Sequence, residues 1–557
     1  MTQASTAPKA AIATDIQAAF GCPESWTMAS ILARRAELSG DRVFLRFMPD
    51  GRSYTYRDLH RETNGIAHAL RAMGVGYRDH AAVISENCPE QLFSFFALGK
   101  LGAVSVPINT AAKGALLRDY LARADCSALI VAESLVDGVL EIAAALPLLR
   151  CVVVIGDPAR AQGLFAGTAV AVHGFPADCA TDDAVESTVV FSDLAYLMYT
   201  SGTTGPSKAI MIPHVCAHFW GEQTIRYRYY RPDDVDYVFL PVFHASALLI
   251  QVTGSLMAGG TVALTPRFSA SRFWADVRAC GATRFNSIGA VGQFLWSQPP
   301  GPQDRDHKLR LCSLAPAPWF VLDFEKRFGV RVINGYALSD YCAATWRPLD
   351  ASPEKIFSCG IPRDEVSVRI VDDNDFDVPP GTPGEILLRN EQPWATPLGY
   401  YKMPEATVAA QRNLWFHTGD RGYLDQDGYL YFTDRKKDAM RRRGENISAF
   451  EVESVILGHA AVKAVAVYAV RSELTEDEVA ASVVLQEGTS LSAEDLVRYC
   501  AGNMSAYMVP RFIEFIDALP LTPTSKVEKY KLRERAQASP ERLWDRDRQM
   551  AEYARRQ

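Results

Sequence analysis

The segment from Tyr199 to His214, YTSGTTGPSKAIMIPH, combines glycines, hydroxyl side chains and one lysine, and it begins at the end of the apolar run LAYLMY. Small residues let the backbone approach an anion closely, so that successive N–H groups cradle a phosphate, and the hydroxyls add further donors. A flexible polar linker is the alternative, but the preceding strand-like run and the lysine disfavour it. The Walker pattern GxxxxGK[ST] is absent, which excludes the P-loop ATPase fold. The sequence therefore predicts a nucleotide-phosphate site made by Thr200, Ser201, Gly202, Thr203, Thr204 and Lys208.

Three later segments complete a pattern: VINGYALSD at 332–340, WFHTGDRGYLDQDGYLYFTDRKKD at 415–438 and LPLTPTSKVEKYKLR at 519–533. In this order, the four segments resemble the motifs of the acyl-adenylate-forming superfamily, which comprises acyl-CoA ligases, luciferases and peptide-synthetase adenylation domains. The resemblance extends from about residue 26 to residue 533. The overall sequence pattern of the chain is most similar to that of crotonobetaine/carnitine-CoA ligase-like enzymes.

The resemblance implies that VINGYALSD binds adenine, phosphate and metal. Tyr336 is expected to stack on the adenine, Ser339 to meet the α-phosphate and Asp340 to bind Mg²⁺. The segment departs from the family pattern, because Ala337 replaces the usual Gly, Ser339 replaces Thr and Asp340 replaces Glu. Asp is one methylene shorter than Glu, so coordination of Mg²⁺ through a water is favoured over direct ligation. Taken alone, the segment also fits a simple turn after a strand.

The segment 415–438 is expected to bind the ribose. Asp420 resembles the carboxylate that accepts both ribose hydroxyls, and two carboxylate oxygens suit a vicinal diol. Arg435 resembles the arginine that reaches the ribose and phosphate, and Phe432 is expected to flank the base. Ala315 is assigned to the same nucleotide site. A turn-capping role is the alternative for Asp420.

Three C-terminal residues are assigned by the resemblance. Lys526 matches the lysine of adenylation, whose ammonium bridges the substrate carboxylate and the α-phosphate, although Ser525 replaces the usual Gly before it. Lys437 falls where the family has a hinge between two domains. Gly444 matches a glycine beside the channel for the CoA thiol, where the missing side chain leaves room for the pantetheine arm.

The segment PVFHASA at 241–247 bears on which acid is activated. Amino-acid-activating relatives carry Asp where this chain has His244, and an imidazole cannot pair with an α-amine, which argues against an α-amino acid. His244 is expected to gate the carboxylate site and, with Thr200 and Lys526, to act in catalysis; a packed structural histidine is the alternative. The predicted acyl pocket consists of Trp220, His244, Ala290 and Trp346.

Composition excludes several classes of protein. The 557 residues are 48% apolar, which fits a large globular protein, and the net charge of 58 − 65 = −7 gives no drive toward nucleic acid or anionic membranes. The 11 cysteines contain no CxxC pair, which argues against zinc and fits a reducing cytosol. The uncharged stretch 245–266 contains polar residues and glycines, so a buried helix–turn–strand is favoured over a membrane span. We expect a cytoplasmic protein, and a homodimer is a further expectation.

Alternation of strand-like and helical segments predicts an α/β fold with parallel sheets up to about residue 355, after which strand–turn–strand patterns dominate. We expect a large N-terminal domain of layered α/β subdomains (1–435) that binds ATP and the acyl group. A small mobile C-terminal α+β domain (436–557) is expected to carry Lys526 and the CoA-facing surface. The tail 534–557 is predicted to be a solvated, charged helix.

These assignments predict an acid–thiol ligase that uses ATP, Mg²⁺ and CoA. A carboxylic acid reacts with ATP to give acyl-AMP and pyrophosphate, and CoA then displaces AMP. One alternative is an adenylating enzyme that loads a carrier-protein thiol. A non-catalytic homologue that binds acyl-adenylate is the other, and the retention of Asp340, Asp420, Arg435 and Lys526 argues against it. The identity of the acid and the pathway stay open.

Overall fold

The computed structural model describes residues 18–550, apart from 144, 201–206, 297, 316, 319, 436–438, 443–444, 472–476, 521–526 and 528. Strands and helices alternate in its first part, as predicted. The strands are β1 (Val43–Phe47), β2 (Ser53–Thr55), β3 (His80–Ile84), β4 (Val104–Pro107), β5 (Ala128–Ala132), β6 (Cys151–Ile155), β7 (Ala171–Gly174), β8 (Leu194–Thr200), β9 (Lys208–Pro213), β10 (Val235–Val238), β11 (Thr261–Leu264), β12 (Arg284–Ile288), β13 (Leu311–Ala315) and β14 (Arg331–Ile333). The helices are α1 (Met28–Ser39), α2 (Tyr56–Ala72), α3 (Pro89–Leu101), α4 (Gly114–Arg123), α5 (Val136–Ala143), α6 (Ala159–Leu164), α7 (His214–Arg228), α8 (Thr253–Ala258), α9 (Phe273–Cys280), α10 (Gly289–Trp296) and α11 (Val321–Phe328).

These strands form two seven-stranded sheets. One has the order β7-β6-β5-β3-β4-β8-β9 and the other β14-β13-β12-β10-β11-β1-β2. Pairing is parallel except at the edges, where β8 pairs with β9 and β1 with β2 in antiparallel fashion. Apolar side chains of both sheets and of α3 share one core, which explains why the strands read as nearly continuous apolar runs. The predicted α/β fold with layered sheets is confirmed.

After β15 (Thr345–Trp346) and β16 (Ile361–Pro362), a four-stranded antiparallel sheet follows in the order β17-β18-β19-β20. Its strands are β17 (Val366–Val371), β18 (Gly384–Asn390), β19 (Phe416–Leu424) and β20 (Leu430–Arg435), with helix α12 (Pro404–Ala410) between β18 and β19. The β19–β20 connection contains the predicted tight turn, in which Gly428 has a φ of +78° that glycine adopts without strain.

The C-terminal part has its own sheet, and its apolar core also includes Leu116 of helix α4. A hairpin of β21 (Ala439–Arg442) and β22 (Glu445–Ser448) precedes helix α13 (Ala449–Leu457). A second sheet has the order β23-β24-β25-β26. Its elements are β23 (Val462–Arg471), β24 (Asp477–Leu485), α14 (Ala493–Asn503), β25 (Phe512–Phe515), α15 (Lys529–Ala538), β26 (Trp544–Asp545) and α16 (Arg546–Gln549). The expectation of a small C-terminal α+β unit is confirmed; the boundary at residues 435/436 stays a prediction, and the hinge candidate Lys437 lies outside the described residues.

The prediction of a solvated helix for the tail is wrong over its described part beyond Ala538. Trp544 and Asp545 form an edge strand that pairs with β25. The guanidinium of the next residue, Arg546, is fully buried and donates to the carbonyl of Val509 at 3.0 Å. A charged sequence therefore enters the interior because backbone oxygens and neighbouring carboxylates satisfy its charge.

The uncharged stretch 245–266 is buried, as predicted. It forms a π-helical segment (Ser246–Val252), then α8 and β11, and it packs inside the large core. Of the helices in the described ranges, none combines the length and the apolar character that crossing a bilayer requires.

Candidate active site

The predicted phosphate loop connects two paired strands. Thr200 ends β8 and lies opposite Lys208, the first residue of antiparallel β9. Thr200 and Lys208 are therefore held at two paired strand ends, whereas Ser201, Gly202, Thr203 and Thr204 lie outside the described residues. The Nζ of Lys208 lies 4.5 Å from the centroid of the Tyr400 ring, a cation–π contact.

Two predicted nucleotide-binding residues meet in a hydrogen bond. The hydroxyl of Tyr336, which follows β14, donates to Oδ2 of the buried Asp420 at 2.6 Å. In the β19–β20 pair, Asp420 lies opposite Arg435. The half-exposed ring of Phe432 is stacked with Tyr336 at a centroid distance of 6.5 Å. Fold topology thus brings together residues from two segments that are 84 positions apart.

The predicted metal ligand has a partner that the sequence reasoning missed. Tyr400 donates its hydroxyl to Oδ2 of Asp340 at 2.7 Å. Burial and the neighbouring Asp340 carboxylate both raise the pKa of Tyr400, so the phenol stays protonated as the donor. Ser339 lies beside Asp340 in the same partly buried turn. Tyr400 also contacts Lys208, so the side chains of Asp340, Tyr400 and Lys208 form a continuous line of contacts.

Ala315 lies at the end of β13, opposite Ile288, on the strand next to β14. In a parallel sheet the carboxyl ends of adjacent strands share one edge, so Ala315 lies at the edge from which the chain continues to Tyr336.

His244 contacts the C-terminal hairpin. Its Nε2 lies 3.1 Å from Oε2 of Glu445 on β22. Burial lowers the pKa of His244, but the charge of Glu445 and its hydrogen bond outweigh burial and raise the pKa above the ordinary value. The predicted CoA-channel residue Gly444 directly precedes Glu445 but lies outside the described residues, as does Lys526.

A second contact joins the hairpin region to the phosphate loop. The backbone N–H and the hydroxyl of Ser207 donate to Oε1 of Glu451 on α13, the N–H at 2.9 Å. Burial raises the pKa of Glu451 to about 8. The contact between Ser207 and Glu451 is favoured when Glu451 is protonated. It weakens as the pH rises from the ordinary pKa of a glutamate to about 8, the raised pKa of Glu451.

The predicted acyl-pocket residues lie on four different segments. Trp220 is buried on α7, and Trp346 on β15 lines a cavity beside the last turns of that helix. Ala290 lies in α10. His244 follows the loop after β10.

We expect Glu445→Gln to slow thioester formation from acyl-adenylate and CoA roughly two- to fivefold at pH 6.5, the effect of a partly screened ion pair. The raised pKa of His244 means that the ion pair is present below this pKa and is lost as pH rises through it. The wild-type to variant rate ratio should therefore fall toward one by pH 8.5. Glu487→Gln, at an exposed carboxylate, is the matched control. A ratio that does not change with pH would contradict the ion pair.

Comparisons with known proteins identify the family. The family model for AMP-binding enzymes matches residues 32–401, and that for the AMP-binding enzyme C-terminal domain matches residues 451–526. The chain belongs to the AMP-binding enzyme family. It is 31% identical to the crotonobetaine/carnitine–CoA ligase of Salmonella heidelberg (strain SL476), over 89% of this chain and 97% of the relative.

Two solved structures show the same fold. A double mutant of o-succinylbenzoate CoA synthetase from Bacillus subtilis, bound with its product analogue OSB-NCoA, is 25% identical with a TM-score of 0.77, covering 90% of this chain and 98% of that one. ATP-bound MatB from Rhodopseudomonas palustris is 25% identical with a TM-score of 0.64, covering 91% and 99%. The predicted reaction, ATP-dependent activation of a carboxylic acid and transfer to CoA, is confirmed at the level of the family.

Proposed function

We propose that this AMP-binding enzyme converts a carboxylic acid to its CoA thioester in two half-reactions at the site between β8–β9, Tyr336, Asp340 and Asp420. The hydrogen bond of 2.6 Å between Tyr336 and Asp420 is the observation that carries the proposal, because it joins the adenine-binding and ribose-binding motifs. In the first half-reaction the substrate carboxylate itself attacks the α-phosphorus of ATP. The enzyme therefore needs no nucleophile of its own, and its residues contribute position and charge stabilisation.

Each nucleotide-binding side chain has a distinct role in the proposal. Tyr336 and Phe432 hold the adenine by stacking, while Asp420 and Arg435 hold the ribose. Thr200 with the loop 201–204, Lys208 and Ser339 receive the phosphates. The tyrosine hydroxyl keeps Asp420 oriented, which suits a carboxylate that must accept two hydroxyl groups in a fixed geometry.

Asp340 suits Mg²⁺. A single carboxylate together with substrate phosphates and waters is the usual protein contribution to magnesium binding, and the hydrogen bond from Tyr400 leaves lone pairs on the Asp340 carboxylate. Mg²⁺ would neutralise charge that develops on the phosphates. Tyr400 holds Asp340 in place from the side of β9.

The contacts of the C-terminal part favour the second half-reaction. Glu445 reaches His244 and Glu451 reaches Ser207, so the hairpin beside Gly444 lies against the predicted carboxylate gate. We infer that this arrangement is the one that forms the thioester. Rotation about Lys437 would then bring Lys526 to the site for adenylation.

The test uses purified enzyme, Mg²⁺, ATP and a panel of aliphatic, aromatic and polycyclic carboxylic acids that also includes α-amino acids and carnitine. Pyrophosphate release is scored with and without CoA. We expect acid-dependent pyrophosphate release, thioester product only with CoA, and no activity with α-amino acids. Thioester formed on a phosphopantetheinylated carrier protein and not on CoA would overturn the choice of acceptor, and absence of pyrophosphate release with every acid would overturn the proposed function.

A further inference from the structure

Glu451 joins the C-terminal part to the end of the predicted phosphate-binding segment. It is the third residue of α13, and its side chain is buried. Its Oε1 accepts a hydrogen bond from the backbone N–H of Ser207 at 2.9 Å and a second one from the Ser207 hydroxyl. Ser207 directly precedes Lys208, the first residue of β9. A carboxyl group of the C-terminal part therefore occupies two donors beside the predicted phosphate loop.

The surroundings of Glu451 favour its neutral form. Tyr120 on α4 faces the carboxyl group, and the Tyr120 hydroxyl lies 3.2 Å from the hydroxyl of Ser207. The phenol of Tyr507 faces it from the C-terminal part, and Arg123 at the end of α4 is a cation that attracts its charged form. Burial outweighs this attraction and the hydrogen bonds, and it raises the pKa of Glu451 to about 8.

Three neighbouring contacts join the same two parts of the chain through uncharged groups. Nδ2 of Asn109 donates to the hydroxyl of Tyr507 at 3.2 Å. The hydroxyl of Ser505 donates to the carbonyl of Ala111 at 2.6 Å. Leu116 on α4 packs into the apolar core of the C-terminal part. Contacts of these kinds do not titrate between pH 6 and pH 8, so the buried carboxyl group adds a pH dependence to this face.

We propose that Glu451 is a positioning residue that, in its neutral form, holds the C-terminal part in the thioester-forming arrangement. The proposal rests on the proposed function, in which this arrangement serves the second half-reaction. When the contact with Ser207 opens, the carboxyl group returns to water and ionises, so a rise in pH favours the open state. The equilibrium constant for docking falls at most about tenfold for each pH unit up to about 8 and is constant above that pH. Thioester formation and adenylation should respond to this carboxyl group in opposite directions.

The test uses Glu451→Gln, because the amide has the shape of the neutral carboxyl group and cannot ionise. Synthetic acyl-adenylate with CoA gives the rate of the second half-reaction, and acid-dependent exchange of labelled pyrophosphate into ATP gives that of the first. The ratio of variant to wild type at each pH removes effects that both enzymes share, such as ionisation of the CoA thiol and of His244. For thioester formation we expect this ratio to rise about threefold or more from pH 6 to pH 8. For pyrophosphate exchange the ratio should fall over the same range.

Glu514→Gln is the matched control. Glu514 is another buried carboxylate of the C-terminal part, and it is paired with Arg535 at 2.8 Å, so both of its ratios should stay constant with pH. Glu451→Ala removes the acceptor for Ser207 and should slow thioester formation while pyrophosphate exchange is kept or raised. Hydrogen exchange of residues 109–123, compared at pH 8, measures docking itself. This segment should be most protected in Glu451→Gln and least protected in Glu451→Ala.

Two outcomes would overturn the inference: a thioester ratio for Glu451→Gln that does not change between pH 6 and pH 8, or changes of the same sign in both half-reactions. Near-ultraviolet circular dichroism checks the fold of each variant. If Glu451→Gln does not fold, hydrogen exchange of residues 109–123 in wild type at the two pH values, corrected for the intrinsic exchange rate, decides, and equal protection overturns the inference. Thioester formation without these effects refutes only this inference, whereas absence of pyrophosphate release with every acid refutes the proposed function.

Discussion

Lys526→Ala is expected to abolish adenylate formation while leaving thioester formation from supplied acyl-adenylate and CoA largely intact. An ammonium that bridges the carboxylate and the α-phosphate stabilises charge only in the first half-reaction. Removing such a contact costs roughly 3–4 kcal/mol, a loss on the order of a hundred- to thousandfold. Acid-dependent exchange of labelled pyrophosphate into ATP measures the first half-reaction, and thioester yield from synthetic acyl-adenylate measures the second.

The matched control is Lys529→Ala. The Lys529 ammonium is three residues away and already paired with Glu453 at 2.7 Å, so its loss should leave pyrophosphate exchange nearly unchanged. Equal losses in both half-reactions of Lys526→Ala would contradict a role restricted to adenylation. They would instead indicate a structural role for this lysine.

Asp340→Ala is expected to lower the rate of adenylation by roughly a hundredfold and to raise the Mg²⁺ concentration needed for half-maximal rate. Asp340→Glu should keep or improve the rate, since the family pattern has Glu at this position. The rate of pyrophosphate release over a Mg²⁺ titration measures both effects. Asp350→Ala, at an exposed carboxylate ten residues further along the chain, is the control.

The hydrogen bond from Tyr400 adds a condition to the result expected for Asp340→Glu. Tyr400 donates to Asp340, so a longer side chain must keep this hydrogen bond while it extends toward the phosphates. Strong inactivation by Glu would mean that the pocket is shaped around Asp and would contradict the assignment of the metal site. Tyr400→Phe should raise the Mg²⁺ requirement in the same direction as Asp340→Ala, by a smaller factor.

The layered fold followed from the sequence because its signals are local. Apolar runs alternating with amphipathic segments predict parallel strands and helices, and the Asp427-Gly428 turn predicts a hairpin without knowledge of the rest of the chain. The edge strand at Trp544–Asp545 was missed for the opposite reason. A two-residue strand has no periodicity, and its stability comes from pairing with β25 and from the buried guanidinium of Arg546.

The site could be predicted where its residues belong to a sequence motif. It could not be predicted where residues from distant segments come into contact. Tyr336 and Asp420 were assigned from two separate motifs, and the sheets bring them within hydrogen-bond distance. The partners Tyr400 and Glu445 were missed, because each lies in a different segment from the residue it contacts and neither has a spacing signal.

The central claim is that the acid is activated by attack of its own carboxylate on the α-phosphorus of ATP. The most direct measurement uses the best acid of the panel with both carboxylate oxygens of the reacting group labelled with ¹⁸O, followed by mass spectrometry of the nucleotide product after CoA has been added. We expect AMP that carries one ¹⁸O atom, together with one thioester and one pyrophosphate for each AMP. Unlabelled AMP, or ADP with labelled inorganic phosphate, would contradict it.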